Sequence, residues 1–206
     1  MSSTPIGVII LSRTFGFTYE NQRKVVNQVA VLTLTFVAYA ILHACRKALP
    51  VVKNKLLGNC TADLTTCQGG FGPFDSHDGL MYFAILDSSW AFSYSIGMFF
   101  MGYAAEKTST KYFVVASLLG TGLTTCAMGL GYYFEIHNLS YYIVFQVLNG
   151  VIQSAGWPSI IPIVSSWIPT KTMGTILGIW GNHYAVGNMI GQLIAAAFVT
   201  SCWFIP

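Results

Sequence analysis

An all-α membrane protein, a bundle of about five transmembrane helices, is the fold class this sequence predicts, and three observations carry that expectation. Of 206 residues, 54% are hydrophobic and only 8% charged. A soluble domain carries about 25% charged residues, so this chain lacks the groups to solvate a water-facing surface. A span needs about 20 mostly apolar residues, and five such runs lie at roughly 27–52, 80–103, 112–134, 141–165 and 173–201. The charges then sort by side. Arg13, Arg23, Lys24, Lys107, Lys111 and Lys171 fall before span 1, between spans 2 and 3, and between spans 4 and 5. Lys53 and Lys55 lie on the other side, diluted by Asp63, Asp75, Asp78 and Glu135. The positive-inside rule places the N-terminus in the cytosol, so 1–26 reads as a cytosolic segment and 27–206 as one transmembrane domain. A net charge of +3 with no basic cluster interleaved with aromatics argues against nucleic acid as a partner and leaves the lipid bilayer as the expected one.

The first segment holds a short apolar patch, Ile6–Leu11, without a charged flank before it, too short for a signal peptide. Span 1 runs unbroken in polarity from Val29 to Leu42 and then meets His43-Ala-Cys-Arg-Lys-Ala-Leu-Pro50. A basic pair there is costly within a bilayer and marks a functional-site candidate by default. Helical spacing puts Tyr39, His43, Arg46, Pro50 and Lys53 near one stripe, with Lys47 about 100° further round. Two readings stay open. If the helix stops near Pro50, Arg46 and Lys47 are a snorkelling pair at its end. If the amphipathic run Val51–Leu57 carries it on, Arg46 is buried and faces protein or water.

The stretch Leu56–Asp78 is rich in Gly, Asp, Thr and Cys and reads as an irregular lumenal loop. Asn59-Cys-Thr and Asn138-Leu-Ser are glycosylation sequons on the non-cytosolic side. Asn59 is the better placed, because Asn138 sits in a very short loop. Cys60 and Cys67 share the first loop, where an oxidising lumen would let them pair. Cys45, Cys126 and Cys202 fall inside spans and read as packing residues. Five scattered Cys and four scattered His have no metal-ligand spacing, so neither metal nor cofactor is expected.

Span 2 contains Asp87 about two turns in. An unpaired carboxylate there is expensive, and Arg46 or Lys47 is the obvious partner, in a structural or a functional role. In the turn after span 2, Gly102 permits close helix approach, while Glu106 can cap or bridge to a neighbouring helix end. Span 3 has small residues and no charge and reads as scaffold. Span 4 carries Gln146, Asn149 and Gln153. Gln146 reads as a bond to another helix, and Gln153 as either such a bond or part of a polar path. In span 5, Gly187-x-x-x-Gly191 is a close-packing pattern and Gly174-x-x-x-Gly178 another. His183 reads as a packing residue or, near a cationic site, as a proton-sensitive donor to an anion. Asp87 with His183 has no nucleophile–base spacing, so an enzyme is not expected.

Several stretches together resemble a known family. Positions 102–111 resemble the loop signature of the major facilitator superfamily, with Glu106 for the usual Asp, Lys107 for Arg, and Thr110 where a base is common. More telling are Arg46-Lys47 followed by Pro50, Leu86-Asp-Ser with Phe92-Ser-Tyr-Ser-Ile-Gly-Met98, Gly156-Trp-Pro-Ser, and Gly178-Ile-Trp-x-x-His-x-x-Val-Gly-Asn188. Over about residues 20–200 the chain is similar to the sugar-phosphate exchanger family of solute carriers, animal relatives of the bacterial organophosphate:phosphate antiporters. The resemblance implies a partial major-facilitator bundle, about five helices of the N-terminal six-helix half. It implies exchange of a sugar phosphate, glucose 6-phosphate above all, for inorganic phosphate by alternating access, with the endoplasmic reticulum as the membrane. Arg46 corresponds to the arginine that binds the phosphoryl group, and bidentate, charge-assisted guanidinium bonds suit that chemistry. Lys47, Asp87 and His183 would contribute to the site or its gating, and Tyr39 and Gln153 complete the candidate substrate-binding set. His183 matches the animal members, whereas in the bacterial antiporters the histidine falls one position later, where Tyr184 stands. Facilitators have twelve spans in two halves, and about five are expected here. The chain therefore reads as the first part of an antiporter or, alternatively, as a truncated non-transporting membrane protein that associates with a full-length carrier chain and modulates it.

Overall fold

A computed structural model describes residues 19–58 and 69–202. The sequon at Asn59 and the candidate Cys60–Cys67 pair lie outside the described residues. Eight helices among those residues follow in order: α1 (Tyr19–Cys45), α2 (Ala48–Leu57), α3 (Gly79–Lys107), α4 (Thr110–Tyr133), α5 (Leu139–Ser154), α6 (Gly156–Trp167), α7 (Met173–Trp180) and α8 (His183–Cys202). They form five rods, because three apolar runs that read as continuous helices are each broken once. Proline explains two of the breaks. A helical proline lacks the N–H owed to the carbonyl four residues back, and its ring crowds that carbonyl. Pro50 therefore disturbs the helix at Arg46, where a tight turn from Lys47 N–H to the Ala44 carbonyl (3.0 Å) separates α1 from α2. Pro158 acts likewise on Ser154, and the Ala155 N–H bonds the Ile152 carbonyl at 3.3 Å between α5 and α6. The third break is at Gly181-Asn182, where the Asn182 side chain donates to the Gly178 and Ile179 carbonyls (3.2 and 3.1 Å) and competes with the backbone ladder.

Among the described residues three segments, Arg23–Leu57, Thr110–Tyr133 and Leu139–Trp167, are long and apolar enough to cross a membrane. The other two rods, α3 and α7–α8, match them in length but carry Asp87, four serines, Asn182, His183, Asn188 and Gln192, which lower their mean hydropathy. Leu34, Phe92, Phe99, Phe100, Leu119, Leu123 and Leu193 all point outward. So broad an apolar exterior, with the backbone hydrogen bonds satisfied inside helices, is what lipid as solvent requires. The chain is a membrane protein.

Small residues set the helix contacts. A Cβ on Gly150 would lie 2.7 Å from the Trp90 carbonyl oxygen, so α5 lies against the backbone of α3. Gly187 and Gly191 of α8 sit on Ala40 and Ala44 of α1, and a Cβ on Gly191 would come within 2.6 Å of the Ala44 Cα. That is the close packing expected of the Gly187-x-x-x-Gly191 pattern. Gly174, Gly178 and Gly102 behave differently: a Cβ on any of them would meet nothing within 4 Å, so these glycines do not mediate a close approach. Glu106 neither caps a helix nor bridges to one among the described residues, whereas Lys107 bonds its own-helix neighbour Tyr103 and lies over that ring.

Two apolar clusters hold the rods. Tyr39, Leu42, Ile160, Val164 and Trp180 join α1, α6 and α7. Leu56, Phe74, Phe83, Leu86 and Tyr142 join α2, α3 and α5 to the segment before α3. The loop expected to be irregular is anchored there: Phe74 is 0% exposed, stacked on Phe83 at 4.5 Å, and the Phe71 N–H donates to the Leu56 carbonyl at 2.8 Å. Asn138 caps α5 by accepting from the Ser140 N–H at 2.9 Å.

Candidate functional site

The α1–α2 break opens onto a cavity of about 860 Å³ walled by α1, α2, α3, α4, α5 and α8. Arg46 lies in the turn between α1 and α2, and because α2 continues for ten residues beyond that turn, Arg46 is not at the end of the rod. It lies in the wall of the cavity, half-buried, beside Lys47. The snorkelling account required the helix to stop near Pro50, and it does not.

Arg46 is held at Nε and against a pair of stacked rings. Its Nε donates to Gln153 Oε1 at 2.5 Å. Its guanidinium carbon lies 4.8 Å from the Trp90 ring centroid and 5.0 Å from that of Tyr94, residues one turn apart on α3. Gln153, 1% exposed, is itself fixed, since its Nε2 donates to Asn149 Oδ1 at 2.6 Å. Trp90 Nε1 donates to that same oxygen at 3.3 Å, while Asn149 Nδ2 donates to Thr124 Oγ1 at 2.7 Å and Thr125 Oγ1 at 3.3 Å. Each amide thus has one orientation, Gln153 with its oxygen toward Arg46 and Asn149 with its oxygen toward Gln153 and Trp90. A guanidinium has five N–H donors. Here one is committed to Gln153, and among the described residues the four on the terminal nitrogens have no partner. The two rings, stacked on each other at 5.1 Å, lie together against the guanidinium, and with an acceptor on Nε its terminal nitrogens are left for the cavity that Arg46 lines. The Lys47 ammonium likewise has no hydrogen bond or ion pair among the described residues. Two half-buried, unpaired cations facing one cavity make a site for an anion.

The expected partner, Asp87, lines the same cavity, but no hydrogen bond or ion pair among the described residues joins it to Arg46 or Lys47. Trp90, one turn on, takes the place beside Arg46, so the carboxylate stands one turn away. Gln146 also departs from expectation: it lines the cavity and makes no hydrogen bond to another helix among the described residues.

Tyr39 and His183 are not in the cavity wall. His183 is 3% exposed, with neither ring nitrogen hydrogen-bonded among the described residues. It stacks on His43 (5.4 Å) and is boxed by Tyr39 (4.7 Å) and Trp180 (4.4 Å). The break at Gly181-Asn182 turns the helix so that His183 faces α1, and the next residue, Tyr184, reaches the cavity instead with Asn188 one turn on. Of the six candidates, Arg46, Lys47 and Asp87 line the cavity, Gln153 orients Arg46 from behind, and Tyr39 and His183 form the adjoining aromatic core. Trp90, Tyr94, Gln146, Asn149 and Tyr184 join the site. The signal for the amides was their spacing: Tyr142, Gln146, Asn149 and Gln153 share one face of a helix. Among the described residues no cluster of three or more His, Cys, Asp or Glu could hold a metal ion.

A family model described as Major Facilitator Superfamily matches residues 65–205. The glucose-6-phosphate exchanger SLC37A2 of Xenopus tropicalis is 39% identical over 183 residues, covering 84% of this chain and 36% of that protein. The putative glycerol-3-phosphate transporter 1 of Arabidopsis thaliana is 36% identical over 217 aligned positions, covering 98% of this chain and 41% of that protein. The glucose-6-phosphate exchanger SLC37A1 of Mus musculus is 34% identical over 196 positions, covering 84% and 37%. The chain therefore spans little more than a third of these relatives. No solved structure matches it.

Proposed function

This chain belongs to the Major Facilitator Superfamily, and from that premise we propose that it forms the anion-binding part of a carrier exchanging a sugar phosphate for inorganic phosphate. The observation that carries the reading is the Arg46 guanidinium, held at Nε by Gln153, set against the stacked Trp90 and Tyr94 rings, and unpaired at its terminal nitrogens among the described residues. Two parallel N–H donors match two oxygens of a phosphoryl group, and Lys47 adds a second positive charge to the same cavity. Hydrogen bonds to charged groups contribute about 1.5–3 kcal/mol each, enough to draw a phosphate from water into a half-buried site. Exchange rather than one-way passage follows from the same balance, because two cations without a counter-ion are costly in a bilayer and the site resets more readily with an anion aboard. The names of the relatives, glucose-6-phosphate exchangers and putative glycerol-3-phosphate transporters, support a phosphate ester as cargo. Alternating access, a cytosolic N-terminus and the endoplasmic reticulum membrane complete the proposal, resting on the charge asymmetry of the loops and the resemblance above.

Gln153 provides a test of the fork. Gln153→Leu frees Nε and leaves orientation to the stacking rings, lowering phosphate affinity about tenfold. Gln153→Glu keeps an acceptor of the same shape but neutralises Arg46, and lowers affinity about a hundredfold. Labelled-phosphate binding to the chain in lipid nanodiscs reads both. A Gln153 that served only packing would give the opposite order, with Glu the milder change. Exchange itself is tested by counterflow of labelled phosphate against glucose 6-phosphate in proteoliposomes. Counterflow lost in Arg46→Ala supports the proposal, and counterflow indifferent to Arg46→Ala overturns it.

A further inference from the structure

Polar groups with no partner among the described residues continue along the cavity away from Arg46. Asp87 and Gln146 line it, as does Tyr142, whose hydroxyl is buried without a hydrogen bond. Helices α3 and α5 run in the same direction here. Phe83 and Leu86 cluster with Tyr142, Trp90 bonds Asn149, and Gly97 faces Ser154. One turn back from Trp90 and Asn149 therefore reaches Asp87 on α3 and Gln146 on α5, level with each other. Gln146 is seven residues from Gln153, so about 10 Å along the axis from the group that holds Arg46. Tyr142 lies one turn further.

A carboxylate with no cation partner among the described residues is out of place in a pocket that only had to hold phosphate, since it repels the anion. It suits a ligand whose phosphoryl end is followed by hydroxyl donors. We propose that Asp87 and Gln146 are specificity residues of the site, accepting hydrogen bonds from the distal hydroxyls of a hexose phosphate while Arg46 holds its phosphoryl group. This rests on the phosphate-ester reading above and deepens it. The ring hydroxyls of a six-carbon ester reach the turn of helix beyond the anchor, whereas glycerol 3-phosphate stops short and inorganic phosphate has nothing to offer there. Gln146 can donate as well as accept, and Tyr142 closes the same end with a hydroxyl of either sense. The site is thus graded, cationic at Arg46 and Lys47 and hydroxyl-binding at Asp87, Gln146 and Tyr142.

The test is competition of inorganic phosphate, glycerol 3-phosphate and glucose 6-phosphate for labelled phosphate bound to the chain in nanodiscs. Wild type binds glucose 6-phosphate tightest. Asp87→Asn moves two ligands in opposite directions. Glucose 6-phosphate weakens about tenfold as a hydrogen bond to a charged acceptor is lost, and inorganic phosphate tightens about threefold as a like charge disappears across a partly hydrated cavity. Gln146→Leu, which changes no charge, weakens glucose 6-phosphate relative to inorganic phosphate about fivefold. If both variants shift all three ligands by one factor, or shift none, the specificity assignment is overturned while the phosphate site stands. If the wild-type chain binds no phosphate at all, the reading beneath it is overturned too.

Discussion

Arg46→Lys lowers the affinity of this chain for inorganic phosphate by about a hundredfold, although the charge is conserved. Lysine cannot accept the same constraints. It has no Nε for Gln153 to hold, no plane for Trp90 and Tyr94 to stack on, and no fork to meet two oxygens at once. Replacing two charge-assisted bonds by one flexible ammonium contact forfeits about 2–3 kcal/mol. Gln153 then gains a free buried acceptor, adding to the loss. Direct titration with labelled phosphate in nanodiscs measures the change. Lysine binding as tightly as arginine would mean that the cavity attracts anions by net charge alone and that the stacked, locked geometry is incidental.

Gly191→Val separates α8 from α1 and prevents the bundle from packing. A Cβ there would lie 2.5 Å from the Ala44 carbonyl oxygen and 2.6 Å from its Cα, and these are backbone atoms that cannot rotate away. The helices must part along the seam that also carries Gly187 on Ala40, at a cost of more than about 3 kcal/mol, the upper range for overpacked sites. The same seam positions the α1–α2 break, so phosphate binding falls with stability. Gly178→Ala is the matched control from the other small-residue pattern of the α7–α8 rod. A Cβ there meets nothing within 4 Å, and alanine favours helix over glycine by up to about 1 kcal/mol. Thermal unfolding in detergent, followed by tryptophan fluorescence, should show a large loss for the first variant and none for the second. Equal losses would mean that both glycines serve helix flexibility and not close approach.

The contrast between those two patterns shows what can be read before the fold is known. Gly-x-x-x-Gly states that two helices could approach; which pair does so depends on a matching Ala40-x-x-x-Ala44 on α1, and only the Gly187 pattern finds it. Arg46 stood out from sequence because a basic pair in an apolar run is costly wherever it lies. Its depth was not legible until α2 was seen to resume after the turn. The breaks themselves had a signal, since Pro50 and Pro158 each disturb the residue four before, and those residues are Arg46 and Ser154. The break at Gly181-Asn182 had a weaker one, and it decides which of two adjacent side chains enters the cavity, so Tyr184 enters it and His183 goes to the ring box. The amide face of α5 was present as spacing, but its roles were not. Asn149 and Gln153 serve Arg46 and one another, while Gln146 has no side-chain partner among the described residues, a division set by where α1 and α3 cross α5. Asp87, expected to pair with Arg46 or Lys47, pairs with neither among the described residues, because helix registry gives Trp90, and not the carboxylate, the place at the guanidinium.

The central claim is that Arg46 holds a phosphoryl group in this cavity. Labelled-phosphate binding to the purified chain in nanodiscs, competed by glucose 6-phosphate and by glucose, tests it most directly. The account predicts saturable binding that glucose 6-phosphate displaces, that glucose leaves untouched, and that Arg46→Ala abolishes. Saturable binding retained in Arg46→Ala would contradict it and move the anion site elsewhere in the bundle.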